Sequence, residues 1–234
     1  MPLALFEVLC VAVILLTLRA MASSTPWRAL AAEYGVLSVA AYLGEQSCIS
    51  LYRYYAYSPD WHLRLGDVPA LVPLIWPLVI LSAREVTAEL RPGAAGLGRA
   101  ALVCTLVVVD ASLVEVIAVR AGYWSWAHPG HLGVHLIGMR GWGAFAGAAD
   151  FCLTRRSGPH RLLVLLLAPL ATHALLLLAH YGLLRLVLGL DASPFAAFYL
   201  SALLVGLGGL AWALRRGGRT MSLVTARPRM VAAS

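Results

Sequence analysis

The chain contains no lysine, so all eighteen of its basic side chains are arginines. A seven-helix protein holding retinal as a Schiff base is thereby excluded, because that linkage needs a lysine amine. Charge of either sign is scarce: 12% of residues are charged against 61% hydrophobic, and the mean hydropathy is +0.80. That balance is far from a soluble domain's and reads as an integral membrane protein. Cysteine is sparse as well. Cys10, Cys48, Cys104 and Cys152 each fall in an apolar stretch and form no C-x-x-C pair, so neither a disulfide framework nor a zinc site is indicated, and they read as small buried hydrophobes. No G-x-S-x-G, P-loop or dinucleotide fingerprint occurs, which argues against serine hydrolases and nucleotide-dependent enzymes.

What the chain has is long apolar runs. Seven spans can be drawn, at about 3–21, 33–54, 67–85, 98–122, 135–154, 161–189 and 194–214, giving an all-α transmembrane bundle in one domain over 1–218. The first carries Glu7 near its start, lacks a basic n-region and is followed by Arg19 and Arg28, as an uncleaved anchor with its N-terminus outside would be. With that orientation only Arg53, Arg64, Arg120, Arg140 and Arg185 face outward, leaving thirteen of the eighteen arginines inside. The bias predicts N-terminus out and C-terminus in, in the plasma membrane, with a basic cytoplasmic tail over 219–234. The net charge of +7 then expresses topology and calls for no nucleic acid. Gly138, Gly141, Gly143 and Gly147 let the fifth span pack closely between its neighbours.

The fourth span carries Asp110 and Glu115 within an apolar helix that ends in Gly122-Tyr123-Trp124-Ser125-Trp126. An ionised acid near a bilayer centre costs roughly 2.5–3.5 kcal/mol, so such residues face a polar interior, find partners or stay protonated. Asp110 lies centrally, Glu115 further out, Glu45 between them in depth on the second span, and Glu7 in the outer part of the first. Glu45 is expected to face the fourth span. Asp110 and Glu115, five residues apart, stand roughly 140° apart around a helix, so they divide the work or one is structural. Asp67 precedes Val68-Pro69 and suits a cap on the third helix. The outer connections are aromatic, through Tyr52, Tyr54, Tyr55, Tyr57 and Trp61 on one side and Tyr123, Trp124 and Trp126 on the other. Most read as an interfacial belt, while a few can wall a cavity beside the acids and stabilise a cation.

His128, His131 and His135 form H-x-x-H-x-x-x-H, which invites comparison with histidine-held iron. Only one such cluster exists, and His173 with His180 are a pair at heptad spacing, so hydrogen-bonded or interfacial histidines are the better reading and no metal is assigned. An apolar cavity holding neutral acids and aromatic faces suits a lipid-soluble alkene. Protonation gives a tertiary carbocation, and capture by water yields an alcohol while capture by a second double bond yields a ring.

Gly44-Glu45 through Tyr52-Arg53-Tyr54-Tyr55, then Leu65-Gly66-Asp67-Val68-Pro69 through Val72-Pro73-Leu74-Ile75-Trp76, resembles the membrane carotenoid biosynthesis proteins typified by bisanhydrobacterioruberin hydratase. So do Asp110, Ala118-Val119-Arg120-Ala121-Gly122-Tyr123-Trp124-Ser125-Trp126 and Gly141-Trp142, over roughly residues 40–150. The resemblance implies a multi-helix membrane enzyme that adds water to a terminal double bond of an acyclic carotenoid, without a redox cofactor. It makes Asp110 the first choice of proton donor, with Glu45 and Glu115 as partners. Tyr54, Trp76, Trp124, Trp126, His135 and Trp142 become the candidates to line the path of an isoprenoid substrate. Where the family tends to show G-I-P-x-x-N-F-x-G-W, this chain has Gly133-Val134-His135-Leu136-Ile137-Gly138-Met139-Arg140-Gly141-Trp142, which marks a divergent member. Two alternatives stand beside hydration. One is a membrane terpene or carotenoid cyclase that shares the initiating proton. The other is a non-enzymatic scaffold or transporter whose acids bind protons or cations, a reading that the prolines Pro69, Pro73, Pro77 and Pro169 keep open.

Overall fold

The computed structural model describes residues 2–53, 55–127, 131–154 and 162–177. Their elements are α1 (Leu3–Ala22), α2 (Trp27–Tyr52), β1 (Tyr55–Tyr57), β2 (Arg64–Leu65), β3 (Val68–Pro69), α3 (Val72–Leu90), α4 (Gly96–Arg120), β4 (Trp124–Trp126), α5 (Leu136–Leu153) and α6 (Leu163–Leu177). The expected seventh span, the end of the sixth and the basic tail lie outside the described residues.

The breaks between helices follow local chemistry. At the end of α1 the Ser23 hydroxyl donates to Ala20 O at 2.6 Å, and Pro26 then caps the start of α2, where a missing N–H costs nothing. α2 stops at Arg53, which adopts a left-handed conformation with φ 51°. Gly93 at φ 84° and Gly96 at φ 57° make the turn from α3 to α4 that few other residues would tolerate. α2 begins earlier than the hydropathy pattern indicates, at Trp27, since Arg28 and Glu33 add a polar turn to an apolar helix. α3 begins later, at Val72, because residues 64–69 form a β2–β3 hairpin first. Asp67 is therefore not a cap of α3. It sits in the hairpin turn, where its carboxylate accepts from Gln46 Nε2 at 2.9 Å and its N–H donates to Gln46 Oε1 at 3.0 Å.

Around the core, α4 packs on α5, α5 on α6, α6 on α2, α2 on α3 and α3 on α4, while α1 lies against α3 and α2. Val103, Val107, Ala111 and Ala118 of α4 are buried, at the helical spacing that keeps them on one face. They meet the small-residue side of α5, and a Cβ on Gly143 would stand 3.1 Å from Cys104 O of α4, so this close approach needs glycine. α1 and α4 are long and apolar enough to cross a membrane. Their outer faces expose Leu5, Val8, Leu15 and Leu16 on the first and Val109, Leu113 and Ile117 on the second. In water such continuous apolar faces would be costly.

The two ends of the bundle differ. At one, the fully buried Asp150 of α5 accepts from Arg84 Nε of α3 at 2.9 Å and Arg99 Nε of α4 at 3.1 Å. Arg84 also bonds Glu33 of α2 at 2.7 Å. Four helices are thus tied by an ion cluster in which each charge is compensated. At the other end, β1 and β4 form an antiparallel ribbon with register Tyr55↔Trp126, Ala56↔Ser125 and Tyr57↔Trp124.

Candidate functional site

A cavity of about 150 Å³ lies beneath that ribbon, lined by residues from each of the six described helices. Its walls are mainly apolar and aromatic: Phe6 of α1, Ile75 and Trp76 of α3, and Trp142 and Phe145 of α5. Three carboxyls interrupt them, Glu45 of α2 and Asp110 and Glu115 of α4. Glu45 and Glu115 are deep, at 3% and 5% exposure. Asp110 is only half-buried and belongs to the rim, beside the exposed Val109 and Val114. The helical divergence of Asp110 and Glu115 accordingly separates them in depth within one cavity.

The ribbon supplies the donors. Residues two apart on a strand face the same side, so Tyr55 and Tyr57 on β1 and Trp124 and Trp126 on β4 all reach the cavity. The Tyr55 hydroxyl donates to Glu45 Oε2, and Tyr57 stands in the same cavity wall. Trp124 Nε1 donates to Glu115 Oε2 at 2.9 Å and Trp126 Nε1 to the same oxygen at 3.4 Å. Glu45 thus receives a phenol donor and Glu115 two indole donors. Burial first, and the nearby Glu45 carboxyl second, push the Tyr55 and Tyr57 phenols well above their ordinary range, which keeps them as O–H donors.

The ribbon is held in place from outside and from below. Across the ladder, Tyr55 packs on Trp126 with ring centroids 4.9 Å apart and Tyr57 on Trp124 at 5.7 Å. Trp61 Nε1 donates to Tyr123 O at 3.0 Å, and Phe6 stacks on Tyr123 at 4.4 Å, which seats α1 against the roof. The His62 N–H donates to Glu7 Oε1 at 3.0 Å, fixing the β1–β2 connection to the same helix. Gly138 of α5 leaves room for the Trp126 ring, which a Cβ there would strike. On the opposite wall, Trp76 and Trp142 stack at 3.9 Å with an interplanar angle of 14°.

Of the nine residues singled out from sequence, Glu45, Asp110, Glu115, Trp76, Trp124, Trp126 and Trp142 line the cavity. Tyr54 lies outside the described residues, as does His128 of the histidine series. His135 is not among the lining side chains; its ring packs against Trp126 at 5.9 Å. Phe6, Ile75, Phe145 and Thr172 are among the lining residues that the sequence does not single out, and Tyr55 and Tyr57 stand there only as members of the aromatic belt. The signal for the two tyrosines was present as Tyr-x-Tyr facing Trp-x-Trp, a period of two that marks short strands. Compared with known proteins, the chain matches no family model and has no significant match to a curated protein or to a solved structure.

Proposed function

We propose that the protein is a seven-span membrane enzyme, N-terminus outside, that hydrates a terminal double bond of a lipid-soluble acyclic isoprenoid of carotenoid type. The observation that carries the reading is the gathering of Glu45, Glu115 and Asp110 in one apolar, aromatic-walled cavity. A carboxyl in such surroundings can hold a proton that water would otherwise take, and an alkene is basic only toward an acid of that kind. The apolar outer faces of α1 and α4 and the arginine distribution support the membrane setting, from which an isoprenoid can enter sideways.

In this reaction a carboxylic acid delivers its proton to the terminal carbon, and the π pair forms the new C–H bond. The tertiary cation faces Trp76, Trp124 and Trp142, whose rings stabilise positive charge. A water oxygen then forms the C–O bond, and a second carboxylate removes the surplus proton. Expression in a host that accumulates acyclic carotenoids, followed by weighing of the extracted pigments, tests the reading. Gain of one water is the expected result. Unchanged mass with altered retention would replace hydration with cyclisation, and unaltered pigment would remove the enzymatic reading.

A further inference from the structure

The two deep carboxyls are equally buried, yet the ribbon treats them differently. An indole N–H can only donate, whereas a phenol can donate to a carboxylate or accept from a carboxylic acid. Trp124 and Trp126 both direct their N–H groups at Glu115 Oε2. A neutral Glu115 would have to carry its proton on Oε1 and keep Oε2 as the weaker carbonyl acceptor, while a negative charge makes both bonds charge-assisted. Glu45 accepts from Tyr55, with Tyr57 beside it in the cavity wall; a phenol hydroxyl can reverse direction and stay hydrogen-bonded whether Glu45 carries its proton or has given it up. Two ionised carboxylates in one apolar cavity repel each other, so at least one of the pair holds its proton.

We infer that the β1–β4 ribbon assigns the roles of the pair: Tyr55 and Tyr57 position Glu45 as the proton donor, and Trp124 and Trp126 hold Glu115 as the carboxylate that takes the proton from attacking water. The inference rests on the hydration reading for its chemistry, though not for its proton. In one turnover Glu45 loses a proton to the alkene carbon, water adds its oxygen to the cation, and Glu115 takes one water proton. Transfer of that proton from Glu115 to Glu45 through the cavity restores the start, so alkene and water become alcohol with no other reactant. The tyrosines and tryptophans touch the carboxyls and act through them. Asp110, half-buried where the other two are buried, is assigned no part in this exchange.

Infrared spectroscopy of the full chain in lipid, without substrate, reads the proton directly. The carbonyl band of a neutral buried carboxylic acid is expected in the wild type and in Glu115→Gln, and is expected to vanish in Glu45→Gln. Tyr55→Phe should shift that band by removing one hydrogen bond, while Trp124→Phe leaves its position unchanged; these milder variants decide the matter even if Glu45→Gln does not fold. A band that disappears in Glu115→Gln, or that moves with Trp124→Phe and not with Tyr55→Phe, overturns the assignment. In turnover, Tyr55→Phe should lower kcat roughly 10- to 100-fold with little change in KM and displace the pH profile; equal loss in KM and an unmoved profile would reduce Tyr55 to a packing role. A wild type that shows the predicted infrared pattern but converts no isoprenoid would remove the hydration reading and leave the proton assignment intact.

Discussion

Tyr55 and Tyr57 are phenols enclosed beside a carboxyl, and their ionisation is linked to folding. Burial, followed by the Glu45 carboxyl, raises both above the ordinary tyrosine value of about 10. An unfolded chain would release these protons first, so the stability they contribute is fully present below about pH 10 and is lost as pH rises beyond it. Thermal unfolding in lipid should therefore show a fall in Tm above about pH 10 that is reduced in the Tyr55→Phe, Tyr57→Phe double variant; an alkaline fall of unchanged size in that variant would place its origin elsewhere. Position within the cavity also separates the three acids. Glu45→Gln is expected to abolish product, whereas Asp110→Asn, at the half-exposed rim, should lower turnover by less than about 10-fold, a smaller effect than acid–base groups usually carry. The two rates, measured side by side on equally expressed protein, check this order. Asp110 was the first choice from sequence because depth along a helix can be counted from residues. Which side of the helix is covered cannot, since that depends on where α3 and α5 pack.

Among the elements, the helices were legible and the ribbon was not. Apolar runs announce helices without reference to anything distant, and the beginnings of α1 and α4 fall close to where hydropathy alone puts them. β1 and β4 are three residues each, too short for a pattern, and their pairing joins segments that only the folded bundle brings together. Their aromatic residues resemble an interfacial belt so long as the partner strand is unknown. The ion cluster at the far end escaped for the same reason: Asp150 meets Arg84 and Arg99 across sequence separations of 66 and 51 residues. Its consequence is a prediction for the bundle. Asp150→Ala leaves two arginines facing each other without their shared acceptor, and breaking such a buried pair costs about 3–5 kcal/mol. The variant should show a clearly lowered Tm, while Asp150→Glu recovers part of the loss; an unchanged Tm for Asp150→Ala would show that the cluster does not hold the helices together.

At the scale of the whole molecule, the described residues form six helices, two of them long and apolar enough to span a bilayer, with carboxyls at the ribbon end and compensated ion pairs at the other. In the proposed orientation the ribbon end would face the outer leaflet and the ion cluster the inner one. A reporter fused after Arg229 should accordingly behave as cytoplasmic and one inserted near Asp60 as external, and the reverse labelling would invert every depth given to the acids. The central claim is that a carboxyl of this cavity protonates an alkene and that water captures the cation. Incubation of the full chain in lipid with an acyclic carotenoid in heavy-oxygen water tests it most directly, with the product analysed by mass. The expected product is heavier than its substrate by one molecule of that water and carries the label in a hydroxyl group, with none formed by Glu45→Gln. A product without the label, or full labelling retained in Glu45→Gln, would contradict it.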